Sequence, residues 1–246
     1  MKTLVISLTI LLLLGINLLP AQEQRTIAVL NFDNNSIADR DQMESLSKGL
    51  ADMLSTEMSQ IQAFKVVERE KLQDLLSEIS LGQSGAVDPA TAQKVGRLLG
   101  AQTLLLGGFV HMFGGKMRID VRIVEVETGL TLKAVEQSDK VDKLFDMVKK
   151  IAKDISKYYE IKITKADKNR MKNRDGSDNF DATLLYSKGL EFWDSGRELV
   201  KSGDRDSARR DFEQALDLFG QAVKKSKKFT DARKKYEEVQ TILKNL

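Results

Sequence analysis

His111 is the single histidine of the 246-residue chain, and the chain has no cysteine. Thiol nucleophiles, disulfides and cysteine-based metal sites are therefore excluded, and one imidazole is left without a second ring to share a metal. His111 lies beside Met112 and Phe113 in a β-rich run, where a structural or surface histidine is the simpler reading. Glu68-Arg69-Glu70 could in principle move a proton, but acids entering a helix are explained more simply by the helix dipole. Gly82-x-x-Gly85 and Gly107-Gly108 lack the lysine spacing and the strand–glycine–helix frame of a phosphate cradle, so they read as turns or close backbone approaches. Ser84 has no nucleophile-elbow context. The expectation is a non-enzymatic protein with no cofactor and no metal.

The start of the chain says where such a protein works. Lys2 precedes an apolar stretch from Leu4 to Ile16, and Leu19-Pro20-Ala21 ends it with a small residue. This is the pattern of a cleavable signal peptide, with Ala21 and Gln22 flanking the predicted cut. The run falls short of the ~20 residues that span a bilayer, and no basic stop-transfer cluster follows. The expectation is an exported, periplasmic protein with no integral membrane segment after cleavage. Export disfavours nucleic acid as a partner. Residues 23–156 carry 17 basic and 20 acidic side chains, a net of −3, whereas residues 157–246 carry 21 and 16, a net of +5. The basic half interleaves acids with its lysines, as a solvated helix face does.

The elements follow from periodicity. Thr26–Phe32 is a short apolar run suited to a buried strand. Met43, Leu46, Leu50, Met53, Leu54, Met58 and Ile61 recur at helical spacing, Lys65-Val66-Val67 is a brief strand, and Arg69–Ile79 is a second amphipathic helix. Gly82 to Asp88 punctuates the chain, Asp88-Pro89 opens a helix that Gly100 ends, and Thr103–Met112 is a strand that turns at Gly114-Gly115. Met117, Ile119, Val121 and Ile123 alternate with Arg118, Asp120 and Arg122, so one face is buried and one is wet. The phase breaks at Val124, which predicts a bulge or a strand end. Leu130–Gln137 is a further strand, and a helix from about Asp139 to Tyr158 closes the unit. The fold class is α+β, a mixed sheet covered by helices, followed by an all-α helical hairpin region. The boundaries read as signal peptide 1–21, α/β domain 22–158, linker 159–181 and helical region 182–246.

Four segments in register resemble the CsgG (curli production assembly/transport component) family: Ile27–Phe32, Phe64–Leu72, Leu98–Gly108 and Arg122–Gly129. The resemblance implies a periplasmic α/β domain, related in shape to the amino-terminal domain of TolB-like proteins, that serves envelope assembly, secretion and scaffolding. The curli channel differs in having a lipidated cysteine, two long membrane hairpins and an aromatic-asparagine loop after its first strand. Here the loop Asn34–Ala38 has no aromatic residue, and Phe113–Lys116 is too short for strands of ~9 to 11 residues. The helical region is similar to a degenerate tetratricopeptide pair, with Tyr186, Gly189, Leu190 and Trp193 on one helix and Ala208, Phe212 and Ala215 on the next. Arg197 to Asp206 makes the spacing about two turns too long. Leu190, Trp193, Phe212, Leu216 and Phe219 form an apolar face that is either a partner-binding surface or is sealed by the last helix through Tyr236, Val239 and Ile242.

The leading functional expectation is an accessory or scaffold protein, periplasmic or associated with the outer membrane, that binds envelope or secretion proteins and that could also self-associate. A regulator that activates a peptidoglycan-synthesising enzyme is the alternative, and a component of a secretion pore comes third.

Overall fold

The computed structural model describes residues 24–78, 89–173 and 179–246. The signal-peptide reading, with Ala21 and Gln22, and the punctuation at Gly82 to Asp88 lie outside these residues. The described part is α+β, with one six-stranded mixed sheet.

β1 (Arg25–Val29) lies between β3 (Phe64–Val66) and β4 (Thr103–Met112) and runs parallel to both. A strand paired on both edges and covered on both faces has to be apolar throughout, which is why Ile27, Ala28 and Val29 are consecutive and buried. β2 (Asp33–Asn34) is a two-residue parallel addition to β4 at the start of the loop read after the first strand. β5 (Lys116–Glu125) and β6 (Thr131–Lys140) extend the sheet antiparallel, giving the order β3-β1-β4-β5-β6. Gly114 and Gly115, both at positive φ, make the β4–β5 turn.

Met117, Ile119, Val121 and Ile123 are fully buried on one face of β5 while Arg118 and Arg122 are exposed on the other. The predicted break at Val124 is a register shift in the β5–β6 ladder between Ile123 and Val124.

The short helix α1 (Arg40–Met43) leads into α2 (Leu46–Ser59), which packs on the buried face of the sheet. α5 (Leu144–Tyr158) packs beside it through Leu144, Met147, Val148, Ile151, Ala152 and Ile155, which recur three and four residues apart. On the other face α3 (Arg69–Glu78) and α4 (Pro89–Leu98) cover a smaller core of Leu30, Leu72, Leu76, Val95, Leu104 and Val124.

Residues 159–181, expected as a linker, contain a helix, α6 (Lys165–Asn173). Asp167 is buried and accepts hydrogen bonds from Thr164 N at 2.8 Å and from Gln62 N, just past the end of α2, at 3.1 Å. Arg170 Nε donates to Gln60 O at 2.9 Å and the same guanidinium pairs with Asp167. The segment is thereby tied to the α/β unit.

The helical region consists of α7 (Phe180–Ser202), α8 (Arg205–Lys225) and α9 (Thr230–Asn245). The surplus between Arg197 and Asp206 lengthens the helices on either side of the turn at Gly203. Asn179 caps α7 by accepting from Ala182 N at 3.0 Å, and Asp204 caps α8 by accepting from Ser207 N at 3.0 Å. The region is not a separate core. Phe145 of α5 meets Phe229 of the helical region edge-on at 5.3 Å between centroids, and Phe229 meets Tyr186 at 4.8 Å. α7 lies so close to α2 that a Cβ on Gly49 would stand 1.9 Å from Ser187 Oγ, so only glycine fits there.

Candidate functional site

The five apolar residues expected to face a partner are brought together, but in the interior. Leu190 and Phe219 are fully buried, Phe212 nearly so, Trp193 is 5 % exposed and Leu216 is half-buried. Trp193 stacks edge-on against Phe212 at 5.7 Å, and Phe219 packs on Tyr186 at 5.5 Å. The seal is the one given by the last helix, with Val239 buried and Tyr236 and Ile242 packed against the same cluster, and α2 and α5 of the α/β unit complete it. A partner on these side chains would have to displace them. The physical reason is that the arm docks on a domain face whose apolar surface was not visible as such from either segment alone.

Where the two parts meet, a cleft of about 580 Å³ opens between α2, the start of α3, α7 and α9. Its walls are charged, and they come from distant stretches of sequence. Arg69, 5 % exposed at the start of α3, donates Nη1 to Asp194 Oδ1 at 2.8 Å and Nη2 to Asp194 Oδ2 at 2.5 Å. This bidentate fork is the geometry that guanidinium and carboxylate favour. Lys48 of α2 adds a third bond to Asp194 at 2.9 Å. Burial alone would raise the Asp194 carboxyl, but Arg69 and Lys48 outweigh it and hold it below the ordinary carboxylate range.

Glu70, the next residue, accepts from Lys235 of α9 at 2.8 Å. Lys235 also reaches Glu238 at 2.9 Å, and its ammonium stands 4.5 Å from the Trp193 ring centroid. Burial opposes ionisation of Glu70, and the neighbouring Lys235 more than compensates, so its carboxyl too is lowered. Arg69 and Glu70 of Glu68-Arg69-Glu70 therefore tie the arm to the domain, in addition to sitting at a helix start. Asp52 behaves in the opposite way. It is buried on α2, its carboxyl is raised by desolvation, with Arg69 opposing, and it accepts from Tyr186 Oη at 2.5 Å.

The charged groups of the cleft are thus largely engaged with one another across the junction, which makes it a fastening between arm and domain. Asp194, Lys235 and Asp52 were not singled out from sequence, and Tyr186 was read only as part of the helix-pair pattern. The available signal was Asp194 next to Trp193, a carboxylate on the apolar side of an amphipathic helix, which needs a buried cation. Among the described residues no group of three or more histidine, aspartate or glutamate side chains could hold a metal ion. No described helix is long and apolar enough to cross a membrane.

His111 is buried in β4, with Nδ1 3.2 Å from Ala38 O and its backbone N–H donating to Ser36 Oγ at 3.1 Å. It pins the loop after β2. Gly107 and Gly108 lie within β4 and are close approaches, not turns: a Cβ on Gly107 would stand 2.5 Å from the Phe32 ring and 2.8 Å from Asp120 O. Gly82, Ser84 and Gly85 lie outside the described residues.

No curated protein sequence matches the chain significantly. Among solved structures, the LpoB C-terminal domain from Escherichia coli is similar at 16% identity and a TM-score of 0.34, over 49% of this chain and 86% of that one. Lipoprotein GNA1162 from Neisseria meningitidis is similar at 17% identity and 0.36, over 47% and 79%. The PelC dodecamer from Paraburkholderia phytofirmans is similar at 10% identity and 0.37, over 58% and 91%. A family model, that of the curli production assembly/transport component CsgG, matches residues 13–115, from ahead of β1 through the β4–β5 turn.

Proposed function

We propose that the chain is an exported accessory or scaffold protein of the cell envelope, acting in assembly or secretion through protein contacts. The observation that carries this reading is the family match over residues 13–115, which spans β1 to β4. Two further features support it. A signal-peptide pattern ends at Ala21, and the helical arm is fastened to the α/β unit by a shared core and a buried ion pair, so the two can present a single surface. The arm's five apolar residues are spent on that fastening, so partner contact on this reading uses the exposed outer faces.

Cells producing the full-length chain should yield a protein that begins at Gln22 and fractionates with the periplasm or the outer membrane. Amino-terminal sequencing together with fractionation reads this. Recovery of Met1 in the cytoplasm would overturn the export on which the proposal stands.

A further inference from the structure

β6 is the long open edge of the sheet. The opposite edge, β3, has three residues, whereas β6 has ten and is paired only to β5 among the described residues. An edge of this length offers a row of backbone donors and acceptors to another strand.

The direction of those groups follows from one bond. Val141 N donates to Gly115 O at 3.0 Å, so this pair points inward, toward β5. Pairs alternate along an antiparallel ladder, so Lys140, opposite Lys116, is in the next, non-bonded pair, and its N–H and C=O point outward. Glu136 and Ser138 share that orientation by the period of two. The outward N–H of Lys140 donates to the side chain of its own neighbour, Asp139 Oδ1, at 2.8 Å, and to no other strand among the described residues.

The same residues carry a charge pattern. Lys116 and Lys140 are exposed and directly opposite each other in a non-bonded pair, where side chains are closest and like charges repel. Glu136 lies four residues before Lys140 on the same exposed face, where Arg118 of β5 donates to it through one carboxylate oxygen, Oε2, so a second cation would share the carboxylate. Charges on an edge strand ordinarily keep other strands away. Here the two are opposite in sign and alike in orientation, so an antiparallel copy of the strand meets attraction.

We propose that β6 pairs with β6 of a second copy of this chain about a twofold axis through Ser138. Glu136 of each chain then stands opposite Lys140 of the other, Ser138 faces Ser138, and roughly six backbone hydrogen bonds close the ladder. On the other face of the strand Gln137 meets Asp139, and the paired stretch runs from Glu136 to Lys140, where β6 ends. The register is selective. An axis through Glu136 sets the two glutamates against each other, an axis through Asp139 does the same with two aspartates, and an axis through Gln137 leaves Lys140 facing Ala134. The second copy also places a carboxylate beside the Lys116–Lys140 repulsion.

Sedimentation velocity of the purified protein over a range of concentration tests this, with circular dichroism melts to check that each variant keeps the fold, since Glu136→Lys also removes the pair with Arg118. Wild type should dimerise. Glu136→Lys and Lys140→Glu should each weaken association by roughly tenfold or more, because each changes two symmetric pairs, and the double exchange Glu136→Lys/Lys140→Glu should restore it. In a chain without cysteine, Ser138→Cys should form a covalent dimer on oxidation far faster than Ser202→Cys, an exposed position at the end of α7. A chain that stays monomeric, an association indifferent to the single reversals, or equal crosslinking at 138 and 202 would overturn the proposal.

Discussion

Asp194→Ala is expected to cost about 3–5 kcal/mol, because it leaves the Arg69 guanidinium buried without its counter-charge. The loss should fall on the junction between arm and domain, since Asp194 is on α7 while Arg69 and Lys48 are on α3 and α2. Trp193, the only tryptophan, sits beside this pair and reports on it without labelling. Denaturant unfolding followed by Trp193 emission should show a lowered midpoint, with exposure of Trp193 before loss of the sheet. Wild-type stability should also fall in acid, with a sign set by the junction carboxylates. Asp194 and Glu70 are lowered, so their contribution is present above the unfolded value of about 4 and is lost as pH falls through their lower folded values. Asp52 is raised and opposes them, contributing most below its unfolded value and losing that as pH rises. The Asp194 share of the acid loss should vanish in Asp194→Ala, and an unchanged midpoint would show that the ion pair does not hold the arm.

Val121→Asp is the second large effect. Val121 is fully buried at the centre of β5, facing the core that α2 and α5 close. An aspartate there has no cation within the apolar cluster, and a buried unpaired charge costs several kcal/mol out of the ~5–15 that a domain has in hand. The expected result is loss of cooperative unfolding or of soluble protein. Asp120→Asn, one residue earlier, changes a carboxylate that bonds Arg118 on the exposed face and should leave the midpoint almost unmoved. The reverse order of effects in circular dichroism melts would contradict the orientation of β5.

The comparison of these two sites shows what a sequence displays and what it hides. The facing of Val121, the break at Val124 and the apolar stripe of α5 are local patterns, set by periods of 2 and 3.6 that need no knowledge of the partner. The fastening is a meeting of segments far apart in the chain. Arg69 and Asp194 are 125 residues apart, and the place of Asp194 beside Trp193 calls for a cation without saying which one. The apolar face of the arm was legible as apolar, through Leu190, Trp193, Phe212 and Phe219. Its sealing by the last helix was one of the two readings left open, but the share taken by the α/β unit was not legible, because that depends on Gly49 letting α7 onto α2 and on Phe229 reaching Phe145. β2 and α6 were missed for a related reason. A two-residue strand and a short, highly charged helix carry too little apolar pattern to stand out, and Asp167 and Arg170 hold α6 through bonds to Gln60 and Gln62.

The central claim is that the protein works by contact with other envelope proteins. It is tested most directly by photo-crosslinking in intact cells, with the reactive residue placed in turn on exposed positions of the sheet, such as Arg122, and of the arm, such as Glu213. The account predicts discrete adducts with proteins of envelope assembly or secretion, formed from a subset of positions that define one continuous surface. Adducts only with cytoplasmic proteins, or none from any exposed position, would contradict it.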